Sequence, residues 1–144
     1  MSRDIKKVYI DSCVLVAFLA PTHKDHIAAR VVVSGIESPV LSFLTLDESL
    51  YILYSQYKLD KSALKKTVIS ILGSNVQIVS IDQTKTNAIK YVKNFCSGKL
   101  MPRDLMHTFI MKENKIKAVA TYDKDFAKEL STIGIKNIAM TAVV

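Results

Sequence analysis

The chain has few cysteines, few glycines and no long apolar segment. Its two cysteines, Cys13 and Cys96, have neither metal-binding spacing nor the number needed for a disulfide framework; both lie in apolar stretches, where we expect buried free thiols. The four glycines form no phosphate-binding loop, which argues against ATP or dinucleotide chemistry. No run approaches the roughly 20 apolar residues that span a bilayer. The first residues lack the apolar core of a signal peptide, so we expect a cytoplasmic protein without a membrane segment.

Acidic residues are also scarce. The 144 residues include 13 acidic and 20 basic ones, which gives a formal net charge of +7, and only three of the basic residues are arginines. A basic surface favours polyanionic partners and speeds their capture. A lysine-rich solvated surface would have the same composition. The charge therefore agrees with a nucleic acid as a partner without requiring it.

The length and the apolar pattern predict one α/β domain that covers residues 1–144. About half of the residues are apolar, enough for a single core. Short β-type runs alternate with longer segments of helical spacing, which is typical of a three-layer α/β/α fold with a central parallel sheet. The predicted strands are 7–10, 39–42, 76–81, 117–121 and 135–139. The predicted helices begin at residues 12, 25, 45, 60, 82, 102 and 125.

Four segments place a carboxylate at a strand end or near a helix start. Asp11 and Asp123 each follow a β-type run, so both should project into the crevice beyond the carboxyl ends of the strands. Glu48 and Asp104 are expected in the first turns of helices that could border this crevice. Such a cluster needs a cation, because like charges suppress each other's ionisation. Hard oxygen ligands suit Mg²⁺ or Mn²⁺, which indicates a metal-dependent nuclease.

Two of these acids also have purely structural interpretations. Asp11 could cap the helix that follows it. Residues 45–48 read Thr-Leu-Asp-Glu, which is a capping-box sequence with Thr45 at the N-cap and Glu48 at N3. From the residues alone, both interpretations stay open beside the metal interpretation.

The remaining acids are equally ambiguous when each is taken alone. Asp104 follows Pro102 in a first helical turn, where the helix dipole favours any carboxylate. Asp123 and Asp125 lie in a turn, and Asp125 is the better placed of the two to cap the next helix. His107 stands one turn after Asp104 and could line the cleft or merely pack.

Taken together, the order and context of the acids resemble those of the PIN-domain ribonucleases, and most of all the small VapC toxins of prokaryotic toxin–antitoxin pairs. The resemblance covers nearly the whole chain. It rests on residues 8–12 (Val-Tyr-Ile-Asp-Ser), on Glu48, and on residues 102–107 (Pro-Arg-Asp-Leu-Met-His). Its most specific segment is 120–126, which reads Ala-Thr-Tyr-Asp-Lys-Asp-Phe after a predicted strand.

The resemblance implies a PIN-like fold and a set of site residues. Asp11, Glu48 and Asp104 match the first three acids of the family and Asp123 the usual fourth, all as catalytic residues and ligands of Mg²⁺ or Mn²⁺. Asp125 would assist Asp123 or replace it as a metal ligand. The supporting positions, which help to hold water, metal or the carboxylates, match Ser12 and Thr121.

The resemblance also implies a reaction and partners. The reaction would be hydrolysis of RNA that leaves 3′-hydroxyl and 5′-phosphate ends. The expected partners are RNA, a protein antitoxin and a second copy of the chain. Cys13 departs from the family, which more often has a small polar residue there; a thiol is a poor ligand for Mg²⁺, so Cys13 is expected only to pack.

Other functions stay open at this point. A phosphatase could use Asp11 as a covalent nucleophile, but the haloacid-dehalogenase type would want a second aspartate where Cys13 stands. The chain could also be an RNA-processing PIN nuclease without an antitoxin. A non-catalytic domain that binds RNA or protein is a further alternative, since a fold alone does not define an activity.

Overall fold

The structure is a computed structural model that describes residues 7–139. The expectation that the N-terminus carries no signal peptide concerns residues 1–6, which lie outside the described residues, as do residues 140–144. None of the helices in the described part of the chain is both long and apolar enough to cross a membrane.

The described residues form five strands, all in one parallel sheet, and seven helices. The strand order is β3-β2-β1-β4-β5, so β1 lies at the centre. The strands are β1 (Lys7–Ile10), β2 (Ser38–Leu41), β3 (Gln77–Ile78), β4 (Ala118–Ala120) and β5 (Lys136–Asn137). The helices are α1 (Ser12–Leu19), α2 (His26–Ser34), α3 (Phe43–Ser55), α4 (Lys61–Leu72), α5 (Lys85–Ser97), α6 (Pro102–Glu113) and α7 (Lys124–Thr132). The predicted α/β fold with a central parallel sheet is confirmed.

The central strand explains why the sheet is covered on both faces. Successive side chains of a strand point to opposite faces. Val8 and Ile10 belong to one apolar cluster, together with Val14 of α1. Tyr9, between them, belongs to a second cluster, which includes Phe126 of α7. A run of apolar residues without alternation is what a parallel strand buried on both faces requires.

The outer strands are shorter than the sequence predicts. The strands predicted at 76–81 and 135–139 are reduced to the two-residue strands β3 and β5. Both are edge strands, which pair with a neighbour on one side only. Because each edge strand has only one ladder of hydrogen bonds, the residues that flank β3 and β5 adopt loop conformations.

Three helix starts also differ from the prediction. Ser42 caps α3 by accepting a hydrogen bond from the Thr45 N–H, so Thr45 is not the N-cap. Thr84, and not Asp82, caps α5. Asp123 caps α7 through the Phe126 N–H, whereas Asp125 was expected to do so. In each case a polar residue two or three positions away competes for the cap, and the point where the preceding strand or loop ends decides between them.

Candidate functional site

Asp11 lies where the central strand ends and α1 begins. Its main-chain N–H donates to the carbonyl of Ala120 at 3.0 Å, which keeps it in register with β4. Its Oδ1 accepts from the Ser12 N–H at 2.8 Å and its Oδ2 accepts from the Thr121 hydroxyl at 2.7 Å. The side chain is buried. Asp11 therefore caps α1, and it also holds a desolvated carboxylate at the carboxyl edge of the sheet.

Thr121 connects Asp11 to the segment that follows β4. Its hydroxyl donates to Asp11 and accepts from the Asp123 N–H at 3.1 Å. Its own main chain is held by the side chain of Asn137, which pairs with both the N–H and the C=O of Thr121. Thr121, expected to support the site, thus contacts Asp11 directly. Ser12, the other expected support, contacts Asp11 through its main-chain N–H.

Glu48 reaches the same place from α3. It lies in the second turn, because α3 begins at Phe43; the expected first-turn position and the capping-box interpretation are both wrong. Its Oε1 is 2.5 Å from His107 Nε2, and its Oε2 is 3.9 Å from Nη1 of Arg103. The Glu48 side chain is largely buried, while that of Arg103 is 71% exposed. Arg103 therefore stands at the mouth of the site.

His107 of α6 lies between the two carboxylates. Its Nε2 is 2.5 Å from Glu48 and 3.7 Å from Asp11 Oδ1, and its Nδ1 is 2.5 Å from the Tyr9 hydroxyl. The ring is fully buried. Neither His107 nor Tyr9 is among the predicted site residues. The spacing of His107 one turn after Asp104 was a signal for it, because residues three apart share a helix face.

The three groups that meet here have the composition of a cation site. Asp11, Glu48 and His107 can each offer one ligand atom, and these atoms lie within 4.8 Å of one another. Two carboxylates at this separation suit a hard divalent cation. The residues present therefore fit Mg²⁺ or Mn²⁺.

Asp104 and Asp123 lie at the edge of this cluster. Asp104 is half-buried in the first turn of α6. Burial is the largest cause of the raised pKa of its carboxyl, and the negative charges of Asp11 and Asp123 raise this pKa further. Asp123 is exposed, and one of its oxygens caps α7. Asp125 is exposed in the first turn of α7. The negative charge of Asp123 thus acts on the Asp104 carboxyl, while Asp125 is the second residue of α7.

The two cysteines have different environments. The Cys13 sulfur accepts a hydrogen bond from the Tyr122 N–H and lies 3.5 Å from Asp11 Oδ2, so Cys13 does more than pack. Burial, followed by the Asp11 charge, raises the pKa of the Cys13 thiol to about 12. Cys96 is exposed on α5, so the expectation of a buried thiol is wrong there.

This fold and this site define a class: parallel α/β proteins with an acidic cluster at the carboxyl edge of the sheet. The family model of the PIN domain matches residues 8–129. The chain therefore belongs to the PIN domain family, which confirms the resemblance stated from the sequence.

A solved structure supports the fold independently. The chain is similar to the crystal structure of VapC20 from Mycobacterium tuberculosis, described as a Sarcin-Ricin loop cleaving toxin. The TM-score is 0.69 at 16% sequence identity, and the match covers 91% of this chain and 98% of that one. At this identity the likeness shows the fold. Among curated proteins, no sequence matches.

Proposed function

We propose that this chain is a metal-dependent endoribonuclease that hydrolyses RNA phosphodiester bonds, and that it acts as the toxin of a toxin–antitoxin pair. The observation that carries the proposal is the meeting of Asp11 and Glu48, from separate elements, in a buried acidic cluster of a PIN domain. A cluster of this kind is unfavourable unless a cation completes it. The description of VapC20 as a Sarcin-Ricin loop cleaving toxin supports the choice of substrate and biological context.

In this proposal Asp11 and Glu48 hold the cation, and Asp104 and Asp123 complete the acid set. Asp123 is preferred over Asp125 as the fourth acid because the charge of Asp123 contributes to the raised pKa of the Asp104 carboxyl. A bound Mg²⁺ or Mn²⁺ would supply Lewis-acid chemistry, by polarising the phosphate and making water more acidic. The protein's part is to hold the carboxylates in place. The Asp11 carboxylate is held by hydrogen bonds from the Ser12 N–H and the Thr121 hydroxyl.

Basic side chains at the mouth of the site would bind the RNA backbone. Arg103 is exposed, yet its guanidinium lies within 3.9 Å of Glu48, so a phosphate bound to it would be next to the acids. A guanidinium matches the geometry of a phosphate in two parallel hydrogen bonds. Lys124, exposed at the start of α7, and Lys99 are further candidates. The net charge of +7 favours capture of RNA over long range.

We further propose that the whole chain is one domain in the cytoplasm, that it forms a homodimer and that it binds a protein antitoxin. Helix α5 supports a protein partner, because none of its described residues is buried. It exposes Ile89, Val92 and Phe95, which are 57%, 57% and 41% exposed. Apolar groups grouped on one exposed helix are typical of protein–protein contact surfaces.

RNA cleavage in the presence of Mn²⁺ or Mg²⁺, and its loss in excess EDTA, tests the proposal. Cleavage should leave 5′-phosphate ends and should be lost in Asp11→Asn. Undiminished cleavage in excess EDTA would sink the mechanism. RNA binding without cleavage under any metal would instead support a non-catalytic domain, and turnover of a small phosphoester but not RNA would support a phosphatase. Restored growth of a strain expressing the chain, after a neighbouring small open reading frame is co-expressed, would support the antitoxin.

A further inference from the structure

A buried chain of hydroxyl groups leads from the start of α3 to the ring of His107. Ser42 Oγ is 2.7 Å from the Tyr9 hydroxyl, and that hydroxyl is 2.5 Å from His107 Nδ1. Thr45 Oγ1 donates to the same Tyr9 oxygen at 3.1 Å. All four side chains are buried. Buried polar groups are costly unless each proton has an acceptor, so the proton positions in this chain are constrained.

The constraint begins at Ser42. Its Oγ accepts from the Thr45 N–H at 3.2 Å, which leaves the Ser42 proton free to be donated to Tyr9. The single proton of Thr45 Oγ1 can go to the Tyr9 oxygen at 3.1 Å or to the Ile10 carbonyl at 3.2 Å. When the Tyr9 oxygen accepts from Ser42, its own single proton is left for His107 Nδ1. A phenol keeps its proton at neutral pH. In this arrangement every hydroxyl proton of the chain has an acceptor, and Nδ1 of His107 accepts from Tyr9.

An acceptor at Nδ1 determines what the other ring nitrogen does. The proton of the neutral ring is then on Nε2, which faces Glu48 Oε1 at 2.5 Å and Asp11 Oδ1 at 3.7 Å. The opposite tautomer would direct the lone pair of Nε2 against a carboxylate oxygen, with repulsion in place of a hydrogen bond. The geometry thus favours the Nε2–H tautomer.

We propose that Tyr9 and His107 form a positioning pair, in which the Nε2–H of His107 orients the Glu48 carboxylate and His107 is not a metal ligand. Groups that orient metal-binding side chains commonly contribute 10–100-fold, roughly, to metal affinity or activity. The consequence for metal binding rests on the proposed function, but the tautomer does not. Measurement of the His107 tautomer on metal-free protein therefore separates failure of this inference from failure of the nuclease proposal.

The first experiment is NMR of metal-free protein with ¹⁵N-labelled histidine rings. The chain has three histidines, and the signals of His107 are assigned by their absence in His107→Gln. The expected pattern is a protonated Nε2 and an unprotonated Nδ1. In Tyr9→Phe, which removes the donor to Nδ1, Nε2 should stay protonated toward Glu48, and the ¹⁵N shift of Nδ1 should move toward that of a nitrogen without a hydrogen-bond donor. Tyr91→Phe is the matched control, because it removes a phenol hydrogen bond to the Pro102 carbonyl and should leave His107 unchanged. A protonated Nδ1 in the wild-type protein would overturn the proposal.

The second experiment examines the metal-loaded protein by pulsed EPR with Mn²⁺. No hyperfine coupling from a directly bound imidazole nitrogen is expected. Such a coupling, lost in His107→Gln, would identify His107 as a ligand and overturn the proposal. Calorimetric Mn²⁺ affinity should fall about 10-fold or more in Tyr9→Phe and stay the same in Tyr91→Phe. An unchanged affinity in Tyr9→Phe together with an unchanged Nδ1 shift would also overturn it.

The third experiment separates positioning from packing. The side-chain amide of His107→Gln can still donate to Glu48, whereas His107→Leu cannot. Turnover should fall roughly 10–100-fold in the leucine variant, with KM for RNA changed less than about 3-fold, and the glutamine variant should recover much of the loss. Equal losses in both variants, or a loss that appears in KM, would contradict positioning through a hydrogen bond.

Discussion

Thr121 Oγ1 donates a 2.7 Å hydrogen bond to Asp11 Oδ2 and so joins the ends of two neighbouring strands, β4 and β1. The same hydroxyl accepts from the Asp123 N–H, so a single buried side chain connects two of the proposed metal-binding acids. Asp11 is buried, and its carboxylate relies on such donors in place of water. The bond is therefore expected to matter for both stability and activity.

Replacement of Thr121 by valine tests this bond, because valine has nearly the same shape without the hydroxyl. Loss of a donor to a buried carboxylate should lower the free energy of unfolding by about 1–3 kcal/mol. Urea-induced unfolding of the metal-free protein measures the change. Thr121→Ser, which keeps the hydroxyl, should retain most of the stability. A valine variant as stable as the wild type would show that water or another donor replaces the bond.

Glu48→Gln separates a metal-binding role from a structural one. Glu48 lies in the second turn of α3 and does not cap it, so the substitution should leave the fold intact. The glutamine carbonyl can still accept from His107, but the charge that would bind the cation is removed. Turnover should therefore fall by two orders of magnitude or more, roughly as for the loss of a strong charge interaction. Glu113→Gln, in an exposed ion pair with Lys90, is the matched control and should remain active. Full activity in Glu48→Gln would exclude the metal role.

The fold was predictable because its signals are local and repeated. Each strand is a short apolar run next to a segment of helical spacing, and this pattern recurs along the chain. The exact ends were less predictable, since Ser42 and Thr45 are both favourable N-cap residues and Asp123 and Asp125 have the same propensity. Which one caps depends on where the preceding strand leaves the sheet, and this is a property of strand pairing.

Of the residues that meet at the candidate site, the sequence pointed to the acids and to Thr121. Asp11 and Thr121 end adjacent strands, so a parallel sheet must bring them together. Tyr9 and His107 carried no comparable signal. A tyrosine in an apolar strand is normally interpreted as a core residue. Tyr9 contacts His107, 98 positions later, because the Tyr9 side chain lies on the face of β1 that packs against α6. Pairings between distant segments of this kind are determined by packing rather than by local sequence.

RNA binding is expected to weaken with salt, because the chain carries a net charge of +7 and the proposed substrate is a polyanion. The logarithm of affinity should fall linearly with the logarithm of salt concentration, at roughly −0.7 per contacted phosphate on a single strand. Binding should persist in Asp11→Asn, which keeps all basic residues. Arg103→Gln should reduce the slope by about one contact. An affinity independent of salt would mean that the lysines form only a solvated surface.

The cysteines should differ sharply in reactivity. Cys96 is exposed, whereas burial and the Asp11 charge raise the pKa of Cys13 to about 12, so only about one in 10⁴ Cys13 thiols is ionised at pH 8. Because Cys13 is shielded and its thiolate is disfavoured, native protein should show one fast-reacting thiol with a thiol-specific reagent, and Cys96→Ser should show none. Unfolding in urea should expose both. Fast labelling of Cys13 in the native protein would contradict the buried environment described for it.

Asp104→Asn should stabilise the metal-free protein at neutral pH. Burial and the charges of Asp11 and Asp123 raise the folded-state pKa of Asp104, so the folded protein binds this proton more tightly than the unfolded chain does. The stability associated with the proton is fully present below the unfolded-state pKa and is lost as the pH rises through the folded-state pKa. At neutral pH the ionised carboxylate is therefore destabilising, and asparagine removes that effect.

The melting temperature of Asp104→Asn should accordingly exceed that of the wild type at pH 7 by a few degrees, at roughly 3 °C per kcal/mol, and the gain should shrink below pH 4. Asp60→Asn, at the exposed N-cap of α4, is the control. Saturating Mn²⁺ should reverse the order, because the wild type gains binding free energy that the variant partly loses. A variant that is less stable at pH 7 without metal would show that the helix dipole of α6 outweighs the repulsion among the acids.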